Sequence, residues 1–353
     1  MAERIRVLCV GDRFITPDAL GLAAKKSIGR DTYVTGLQTE WPDDPFGPVE
    51  GVTEASGSPA AVARLAQDAD VLLTHLGPVT RSVLNAATDL KVVGITRGGP
   101  VNVDLAAATE RGVPVVYLPG RNLGAAAEFT LGFMLALPRG IASGSRALAA
   151  GQWDPTFFRQ DRTGPELRGS TVGIVGAGAV GRRVAELVSA FRANVLIHDP
   201  FADEQSLRDQ GWEPVGLDEL LARSDIVSLH ARLTDDTRKM FGTDVFAAMK
   251  PGAYFVNTAR GGLVDEDALR GALESGHLAG AALDVFDPEP PVAGDALVAR
   301  ADVIATPHLA GASKQVASES AARVADEVAT YLRDGVLEHC ANPDWQQHAA
   351  QRS

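Results

Sequence analysis

Short apolar runs alternate with helical stretches along the chain, and this alternation predicts an α/β protein. In the first third, apolar runs of strand length lie at 5–10, 70–74, 92–95 and 113–117, with helical segments at 80–87 and 104–111. Strands that are almost continuously apolar and are separated by helices are typical of a parallel sheet covered on both faces. We therefore expect a doubly wound parallel sheet in this part of the chain.

A second alternating pattern follows a helix-forming run at 125–141 and an irregular segment at 151–169. Its predicted strands are 171–175, 194–198, 226–229, 253–257, 280–283 and 303–305, and a last helical run occupies 313–333. We predict a second α/β domain of the same doubly wound kind, inserted into the first. The expected bounds are 1–124 with 325–353 for the outer domain and 125–324 for the inserted one, with the helical runs as links.

Composition narrows the class of protein. The chain has 353 residues, of which 45% are apolar and 22% charged, and its net charge is −12. Such a charge gives no general attraction to nucleic acid or to an anionic membrane. Cys9 and Cys340 alone cannot form a disulfide framework, and neither a signal-peptide pattern nor an apolar run long enough to span a membrane occurs. We therefore expect a soluble, cytoplasmic protein of two domains.

A glycine-rich loop follows the first strand of the second domain. Residues 171–181 read TVGIVGAGAVG, a predicted strand that runs into the pattern G-x-G-x-x-G. Gly176 permits a tight turn, Gly178 lets a pyrophosphate approach the backbone, and Gly181 lets the next helix pack closely on the strand. Asp199 ends the following strand 18 residues past Gly181, where a carboxylate can hold the ribose hydroxyls of a dinucleotide. The pattern predicts NAD rather than NADP, because this carboxylate would repel a ribose phosphate. Glycines that serve packing alone are the alternative.

Three polar side chains are predicted at the carboxyl ends of the last strands of the same sheet. Arg260, Glu289 and His308 each follow one of the last three predicted strands, at the edge where open parallel sheets bind ligands. The planar fork of Arg260 would bind a carboxylate, and Glu289 would orient the ring of His308. His308 would then exchange a proton with a carbonyl or hydroxyl oxygen. This chemistry fits hydride transfer between a 2-hydroxy acid and a 2-oxo acid.

With these motifs the chain resembles the D-isomer-specific 2-hydroxyacid dehydrogenases, in particular their phosphoglycerate dehydrogenase-like branch. The resemblance extends from about Asp70 to the last helix and includes LKVVGITRGGPVNVDLAAATERGVPVVYLPG at 90–120. It implies two Rossmann- or flavodoxin-like domains and an NAD-dependent oxidoreductase that interconverts a D-2-hydroxy acid and its 2-oxo acid. It also implies a homodimer, and Arg260, Glu289 and His308 carry over as the catalytic residues.

The resemblance further implies the residues that line the two ligands. Those expected at NAD are Gly176, Gly178, Ala179, Val180, Gly181, Asp199, Ala231, Arg232, Thr237, Thr258, Ala259, Arg260, Asp284, His308, Leu309, Ala310 and Gly311, with Asp284 at the nicotinamide end. Those expected at the substrate are Gly77, Arg97, Gly98, Gly99 and Arg260.

The chain departs from the family pattern at three places. Ala179-Val180 stand where many relatives have Arg-Ile, which removes a side-chain contact to phosphate. Arg97 lies in a loop that is usually rich in Gly and Ala, and Arg232 lies in HARLT, where relatives often have H-x-P-L-T. Our hypothesis is that Arg97 or Arg232 binds an extra phosphate, carboxylate or hydroxyl of the substrate. Ion pairs within the chain, or plain surface positions, are the alternative for each.

His75 and a group of aromatic residues are further candidates. His75 follows a predicted strand, and we expect its ring to bond to the backbone, with substrate contact as the alternative. For Trp153, Phe157 and Phe158 we expect a place in the core or in a subunit interface, with substrate contact as the alternative. Neither metal-binding spacing nor a G-x-S-x-G or Walker motif occurs, so we expect no metal and neither of those hydrolase or NTPase chemistries.

Two other functions are compatible with such a fold. A formate dehydrogenase of this fold would carry Gln at the position of Glu289, which disfavours that activity. An NAD-sensing binding protein, like the corepressors that share the fold, could keep both the glycine loop and the three catalytic residues. Turnover of any 2-oxo acid would separate the enzyme from the binding protein.

Overall fold

The computed structural model describes residues 4–349, and its contacts divide the chain into two units. One unit runs to Arg121 and resumes at Ser313, and the other comprises Asn122–Ala312. The second unit is therefore an insertion in the first. The second boundary lies before the long C-terminal helix rather than near residue 324, because that helix packs on the first helix and on the sheet of the first unit.

The strands in chain order are β1 (Arg6–Gly11), β2 (Tyr33–Gln38), β3 (Gly47–Val49), β4 (Val52–Ala55), β5 (Val71–Thr74), β6 (Val92–Ile95), β7 (Val115–Val116), β8 (Thr171–Val175), β9 (Asn194–His198), β10 (Glu213–Pro214), β11 (Ile226–Leu229), β12 (Ala253–Asn257), β13 (Leu278–Leu283) and β14 (Val303–Ala305). The helices are α1 (Pro17–Ser27), α2 (Pro59–Ala66), α3 (Arg81–Ala86), α4 (Leu105–Glu110), α5 (Leu123–Ala136), α6 (Ile141–Ala149), α7 (Ala179–Ala190), α8 (Glu204–Asp209), α9 (Leu217–Arg223), α10 (Thr243–Ala248), α11 (Glu266–Glu274), α12 (Lys314–Asp334) and α13 (Gln346–Ala349). Short 3₁₀ turns occur at Pro155–Phe158, Gly261–Leu263 and Pro343–Trp345.

The first unit is built on a five-stranded parallel sheet in the order β2-β1-β5-β6-β7. Successive residues of β1 alternate between its two faces: Val7 and Cys9 join one apolar cluster, and Leu8 and Val10 join the other. Both faces of the sheet are therefore buried, as the continuous apolar character of its strands predicts. A two-stranded antiparallel ribbon of β3 and β4 accompanies this sheet.

The second unit is built on a seven-stranded parallel sheet in the order β10-β9-β8-β11-β12-β13-β14. Helices cover both of its faces and bury two further apolar clusters. Both sheets are thus doubly wound, and the predicted α/β fold class is confirmed. No helix among residues 4–349 combines the length and apolarity that a membrane crossing requires.

Two predicted elements were wrong. The helix expected at 125–141 ends at Ala136, and α6 begins only at Ile141, because Pro138 and the left-handed Gly140 (φ 61°) interrupt it. The expected strand at 113–117 is reduced to two residues, since Pro114 has no N–H and Tyr117 donates to the carbonyl of His339 instead. The β3–β4 ribbon, which the sequence pattern did not predict, begins at the end of the Pro- and Asp-rich segment 41–48.

Candidate functional site

The candidate residues of the second unit lie at the carboxyl edge of its sheet. The order of the strands reverses between β8 and β11, and such a switch point is where open α/β sheets bind their ligands. The glycine loop follows β8, Asp199 follows β9, and Ala231 follows β11. Arg260, Asp284 and His308 follow β12, β13 and β14, respectively.

The glycine loop has the geometry that the sequence pattern predicts. Gly176 adopts the left-handed region with φ 97°, and a Cβ there would lie 2.6 Å from the backbone nitrogen of Ala231. A Cβ on Gly181 would collide with the carbonyl oxygen of Gly176, so only glycine lets α7 approach β8 this closely. A Cβ on Gly178 would meet nothing within 4 Å. Close packing therefore requires glycine at positions 176 and 181. Gly178 leaves the backbone accessible on the side where a Cβ would stand.

The first turn of α7 and Asp199 together fit a dinucleotide. Helix α7 begins at Ala179, and its N-cap Gly178 makes no side-chain capping bond, so the N–H groups of Ala179, Val180 and Gly181 are available to an anion. The half-buried carboxylate of Asp199 accepts hydrogen bonds from the N–H groups of Ala177 (2.7 Å) and Phe201 (2.9 Å). It thereby fixes the glycine loop against the end of β9.

The loop after β11 is tied together by its own side chains. The Thr237 hydroxyl donates to the carbonyl of Arg232 (2.7 Å) and accepts from the N–H of Thr234 (2.8 Å). Burial lowers the pKa of His230 to about 4, so its ring is neutral, and Nε2 lies 2.9 Å from the Ser228 hydroxyl. The side chain of Arg232 is exposed.

Asn257, at the end of β12, shapes the next loop. Its side-chain oxygen accepts from the N–H of Ala259 (3.0 Å), and its amide donates to the carbonyl of Arg260 (3.0 Å). The Thr258 hydroxyl lies 2.7 Å from that of Thr130 on α5. The exposed guanidinium of Arg260 donates one bond to the carbonyl of Ala259 (2.6 Å) and presents the remainder of its fork to solvent.

Asp284 organises the loop that carries His308. Its fully buried carboxylate accepts hydrogen bonds from the hydroxyl of Thr306 (2.5 Å) and from the N–H groups of Leu309 (2.7 Å) and Ala310 (2.8 Å). The N–H of His308 donates to the carbonyl of Asp284 (2.9 Å). These bonds hold His308 in the left-handed region (φ 54°), which few residues other than glycine adopt. Gly311 ends the loop against the side chain of Asn122.

The structure brings Glu289 and His308 together. Nδ1 of His308 lies 2.9 Å from Oε2 of Glu289, and each side chain is partly exposed. A carboxylate can only accept, so Nδ1 carries the hydrogen, and Nε2 is the ring nitrogen left outside this bond. The second oxygen of Glu289 accepts from the N–H of Phe286 (3.4 Å). Glu289 is thereby held by its own loop and fixes the tautomer of the histidine.

In the first unit, the candidate substrate residues differ in how closely other atoms pack around them and in what they contact. A Cβ on Gly77 would press into Val10 and Thr74, so this glycine is required by packing. Gly98 and Gly99 have open space where a Cβ would stand. Arg97 is ion-paired with Glu54, Nη2 to Oε2 at 2.5 Å, and its guanidinium lies 5.9 Å from the ring centroid of Phe46.

The expectation that the His75 ring bonds to the backbone was wrong. His75 is 2% exposed, and its Nδ1 lies 2.6 Å from Oδ2 of Asp12. Its Nε2 lies 3.3 Å from Nη2 of Arg121. Sequence reasoning missed Asp12 and Arg121, although each follows the carboxyl end of a strand, which is the signal that identified Arg260 and His308.

The comparisons with known proteins agree with this geometry. Residues 131–310 match the model of the D-isomer specific 2-hydroxyacid dehydrogenase, NAD binding domain. A D-3-phosphoglycerate dehydrogenase of Methanocaldococcus jannaschii is 39% identical over 278 residues, which cover 78% of this chain and 52% of that protein. This chain spans about half the length of the first D-3-phosphoglycerate dehydrogenases that it matches.

Two further relatives match over more of their own length. YoaD of Bacillus subtilis (strain 168), whose printed name places it among the 2-hydroxyacid dehydrogenases, is 40% identical to this chain over 255 residues. The match covers 71% of this chain and 73% of that protein. The crystal structure of a protein from Thermus thermophilus superposes with a TM-score of 0.77 at 31% identity, covering 96% of this chain and all of the other. The chain therefore belongs to the D-isomer-specific 2-hydroxyacid dehydrogenase family, and its inserted unit contains the NAD-binding domain of that family.

Proposed function

We propose that the protein is an NAD-dependent oxidoreductase that interconverts a D-2-hydroxy acid and its 2-oxo acid. The observation that carries the proposal is the bond between Nδ1 of His308 and Glu289, at the same sheet edge as the glycine loop. It leaves Nε2 as the atom that can exchange a proton. The family to which the chain belongs supports the same reaction.

In this proposal each residue has one task. His308 gives its proton to the carbonyl oxygen during reduction, or accepts the hydroxyl proton during oxidation. Glu289 holds the ring and stabilises the positive charge that develops on it when Nε2 gains a proton. Arg260 binds the substrate carboxylate through its planar fork. NAD, when bound, supplies or accepts the hydride.

The residues proposed to hold the cofactor are those at the carboxyl edge of the seven-stranded sheet. The first turn of α7 would bind the pyrophosphate, and Asp199 would bind the ribose hydroxyls. The loops fixed by Asn257 and Asp284 would line the nicotinamide end. By the family resemblance, the residues proposed to bind the substrate are Gly77, Arg97, Gly98 and Gly99, in addition to Arg260.

The test follows NADH oxidation across a panel of 2-oxo acids, including glyoxylate, pyruvate, hydroxypyruvate, 2-oxoglutarate and phosphohydroxypyruvate. We expect His308→Asn to lower kcat by about 10² to 10⁴. Asn is chosen because it tolerates the left-handed backbone better than most residues, so the loop stays folded. Arg260→Gln should raise KM for the acid, and Glu289→Gln should lower kcat.

NADH fluorescence provides the control for these variants. His308→Asn should bind NADH as the wild type does, and His277→Asn, which alters a histidine bonded to the carbonyl of Met249, should keep full activity. NADH binding without turnover of any acid would contradict the enzyme and support the NAD-sensing binding protein. The comparisons do not favour that second function, because the relatives described above are named as dehydrogenases.

We also propose a cytoplasmic homodimer. The family resemblance and the prevalence of twofold homo-oligomers support the dimer. So does an apolar groove of about 400 Å³ formed by α6 and the 3₁₀ turn that follows, lined by Leu148, Trp153 and Phe158. Trp153 and Phe158 are 81% and 93% exposed in the single chain, which excludes a place in its core.

A further inference from the structure

The segment that carries Glu289 has little backbone structure of its own. Residues 285–291, which we call the Glu289 segment, follow β13, and within the part of the chain that the structure describes they form no backbone-to-backbone hydrogen bond. Pro288 and Pro290 have no N–H to donate. The segment is anchored at its start, where Phe286 is buried in an apolar cluster of the second unit. The orientation of Glu289 therefore depends on packing and on side-chain bonds.

Glu266 supplies a side-chain bond from outside the Glu289 segment. It is the first residue of α11, and Oε1 of its half-buried side chain accepts from the N–H of Asp287 (2.9 Å). The preceding N–H, that of Phe286, donates to Oε1 of Glu289 (3.4 Å), and Oε2 of Glu289 accepts from His308. Among the described residues, no other side chain outside the segment forms a hydrogen bond to its backbone. The carboxylate on α11 thus fixes the backbone next to the N–H group that holds Glu289.

The start of α11 is itself firmly held. The N–H of Phe241 donates to the carbonyl of Leu263, and its carbonyl accepts from the N–H of Asp265, both at 3.0 Å. The side chain of Asp265 then caps α11. A Cβ on Gly261 would lie 2.0 Å from the carbonyl carbon and oxygen of Phe286, so the turn before α11 packs directly on the backbone of the Glu289 segment. The helix therefore provides a fixed point from which that segment can be oriented.

The surroundings of Glu266 oppose its charge. Burial raises its pKa above the usual value, and so do the carboxylates of Asp295, Asp287 and Asp267, although the bond from the N–H of Asp287 acts in the opposite direction. A carboxylate in such a place is costly unless it makes a specific bond. Among the described residues, the N–H of Asp287 is the only hydrogen-bond donor to this carboxylate. Holding the Glu289 segment is thus the polar interaction that accounts for an acid at this position.

We propose that Glu266 is a positioning residue for the candidate catalytic pair, and that it holds the Glu289 segment so that Glu289 stays directed at Nδ1 of His308. The effect on catalysis rests on the proposed function, in which Glu289 fixes the tautomer of His308. Glu266 acts through the backbone of Asp287 and not on the reacting atoms. Its removal should therefore change the tautomer of His308, and the rate should fall as a consequence.

The test observes the tautomer of His308 directly. Protein with isotope-labelled histidine is measured by proton–nitrogen correlation NMR at alkaline pH, where the ring is neutral, and the His308 signal is assigned by its loss in His308→Asn. We expect the Nδ1–H tautomer to dominate in the wild type, because Glu289 accepts at Nδ1. Glu289→Ala should give a mixture of both tautomers, and Glu266→Ala should move the signal towards that mixture.

Two conservative variants separate the bond from the charge. Glu266→Gln keeps a side-chain oxygen at the same reach and should keep the wild-type tautomer, with kcat for the best acid of the panel within about fivefold. Glu266→Asp keeps the charge but is one methylene shorter, and should behave as Glu266→Ala, for which we expect kcat to fall about 10- to 100-fold. Glu274→Ala removes an exposed glutamate from the other end of α11 and should change neither quantity. Thermal unfolding of each variant verifies that it is folded.

The wild-type tautomer in both Glu266→Asp and Glu266→Ala would overturn the inference. So would a wild type without a dominant Nδ1–H tautomer, or a Glu266→Gln variant that loses the tautomer as fully as Glu266→Ala. The spectra require neither NAD nor acid, so the inference and the proposed function can fail separately. A tautomer that depends on Glu266, in a protein that turns over no acid, would uphold the positioning role and refute the dehydrogenase. Turnover and a tautomer that are both unchanged in Glu266→Asp would uphold the dehydrogenase and refute the role of Glu266.

Discussion

Asp70 is a buried carboxylate that joins the ends of three neighbouring strands. Its Oδ2 accepts from the backbone N–H (2.9 Å) and from Nε (3.1 Å) of Arg6 at the start of β1, and its Oδ1 lies 3.1 Å from Nζ of Lys91, just before β6. Burial acts to raise the pKa of Asp70, but these bonds outweigh it and hold the pKa below its usual value. The carboxylate therefore stabilises the folded state as long as it is ionised.

We expect Asp70→Asn to lower the free energy of unfolding by about 1–2 kcal/mol at pH 7. The folded pKa is lower than the unfolded one, so the contribution is complete above about pH 5 and is lost as the pH falls through the unfolded and then the folded pKa. Urea unfolding of wild type and variant at pH 7, 5 and 3 measures this. Asp68→Asn is the control, because Asp68 is exposed and 3.9 Å from the same arginine. A difference between wild type and Asp70→Asn that is independent of pH would contradict this role.

At the residue scale, the sequence predicts which side chains lie at the site but not all of their partners. The identities of Arg260, Glu289 and His308 follow from their places after strands, and the structure brings Glu289 and His308 into contact. The pairing of Arg97 with Glu54 does not follow, because the two residues lie 43 positions apart on different elements. The contacts of His75 with Asp12 and Arg121 depend in the same way on which strands are neighbours, and local sequence patterns do not specify that order.

At the scale of elements, the contact between β8 and α7 depends on a missing side chain. Alanine in a helix is ordinarily more favourable than glycine by about 1 kcal/mol. At Gly181 this gain is reversed, because a Cβ would collide with the carbonyl oxygen of Gly176 and would lie 3.3 Å from Ile174. The sequence pattern is therefore a packing requirement as well as a binding motif.

We expect Gly181→Ala to lower the free energy of unfolding by about 1–3 kcal/mol, the range for overpacked sites, and to weaken NADH binding. Gly271→Ala in α11 is the matched control, since a Cβ there meets nothing within 4 Å. It should stabilise the protein by up to about 1 kcal/mol. Denaturant unfolding and NADH fluorescence report the two effects. Equal stability of the two variants would show that α7 can move away from β8 without cost.

Most strands of the second unit could be predicted to the residue, because each is a buried apolar run between polar or glycine positions. Residues 171–175, 194–198, 226–229, 253–257 and 303–305 are strands as expected. The prediction was poorer for elements that are not apolar runs bounded by polar or glycine positions. The β3–β4 ribbon begins at the end of the Pro- and Asp-rich segment 41–48, and its pairing comes from a contact between strands that local periodicity does not record. The break between α5 and α6 was missed although Pro138 and Gly140, which interrupt the helix, are visible in the sequence.

At the scale of the whole molecule, two large aromatic side chains after α6 are exposed to solvent in the single chain, which is unfavourable for apolar side chains. Trp153 and Phe158 are large apolar side chains beside a groove of about 400 Å³, and Leu148 of α6, 60% exposed, lines the same groove. Exposed apolar patches of this kind are typical of protein interfaces, and aromatic residues contribute much of the buried area when they are covered. The proposed occupant is a second copy of this chain.

We expect the wild type to sediment as a dimer at micromolar concentration, and Trp153→Asp and Phe158→Asp each to raise the dimer dissociation constant at least about 100-fold. A charge placed in the core of an interface must be desolvated without a partner, which costs several kcal/mol. Leu22→Asp is the matched control, because Leu22 on α1 is 71% exposed and lies in the other unit. Sedimentation velocity over a concentration series distinguishes the species, and unfolding curves verify that the variants remain folded. A monomeric wild type, or dissociation by Leu22→Asp alone, would place the interface elsewhere and leave the aromatic groove for another ligand.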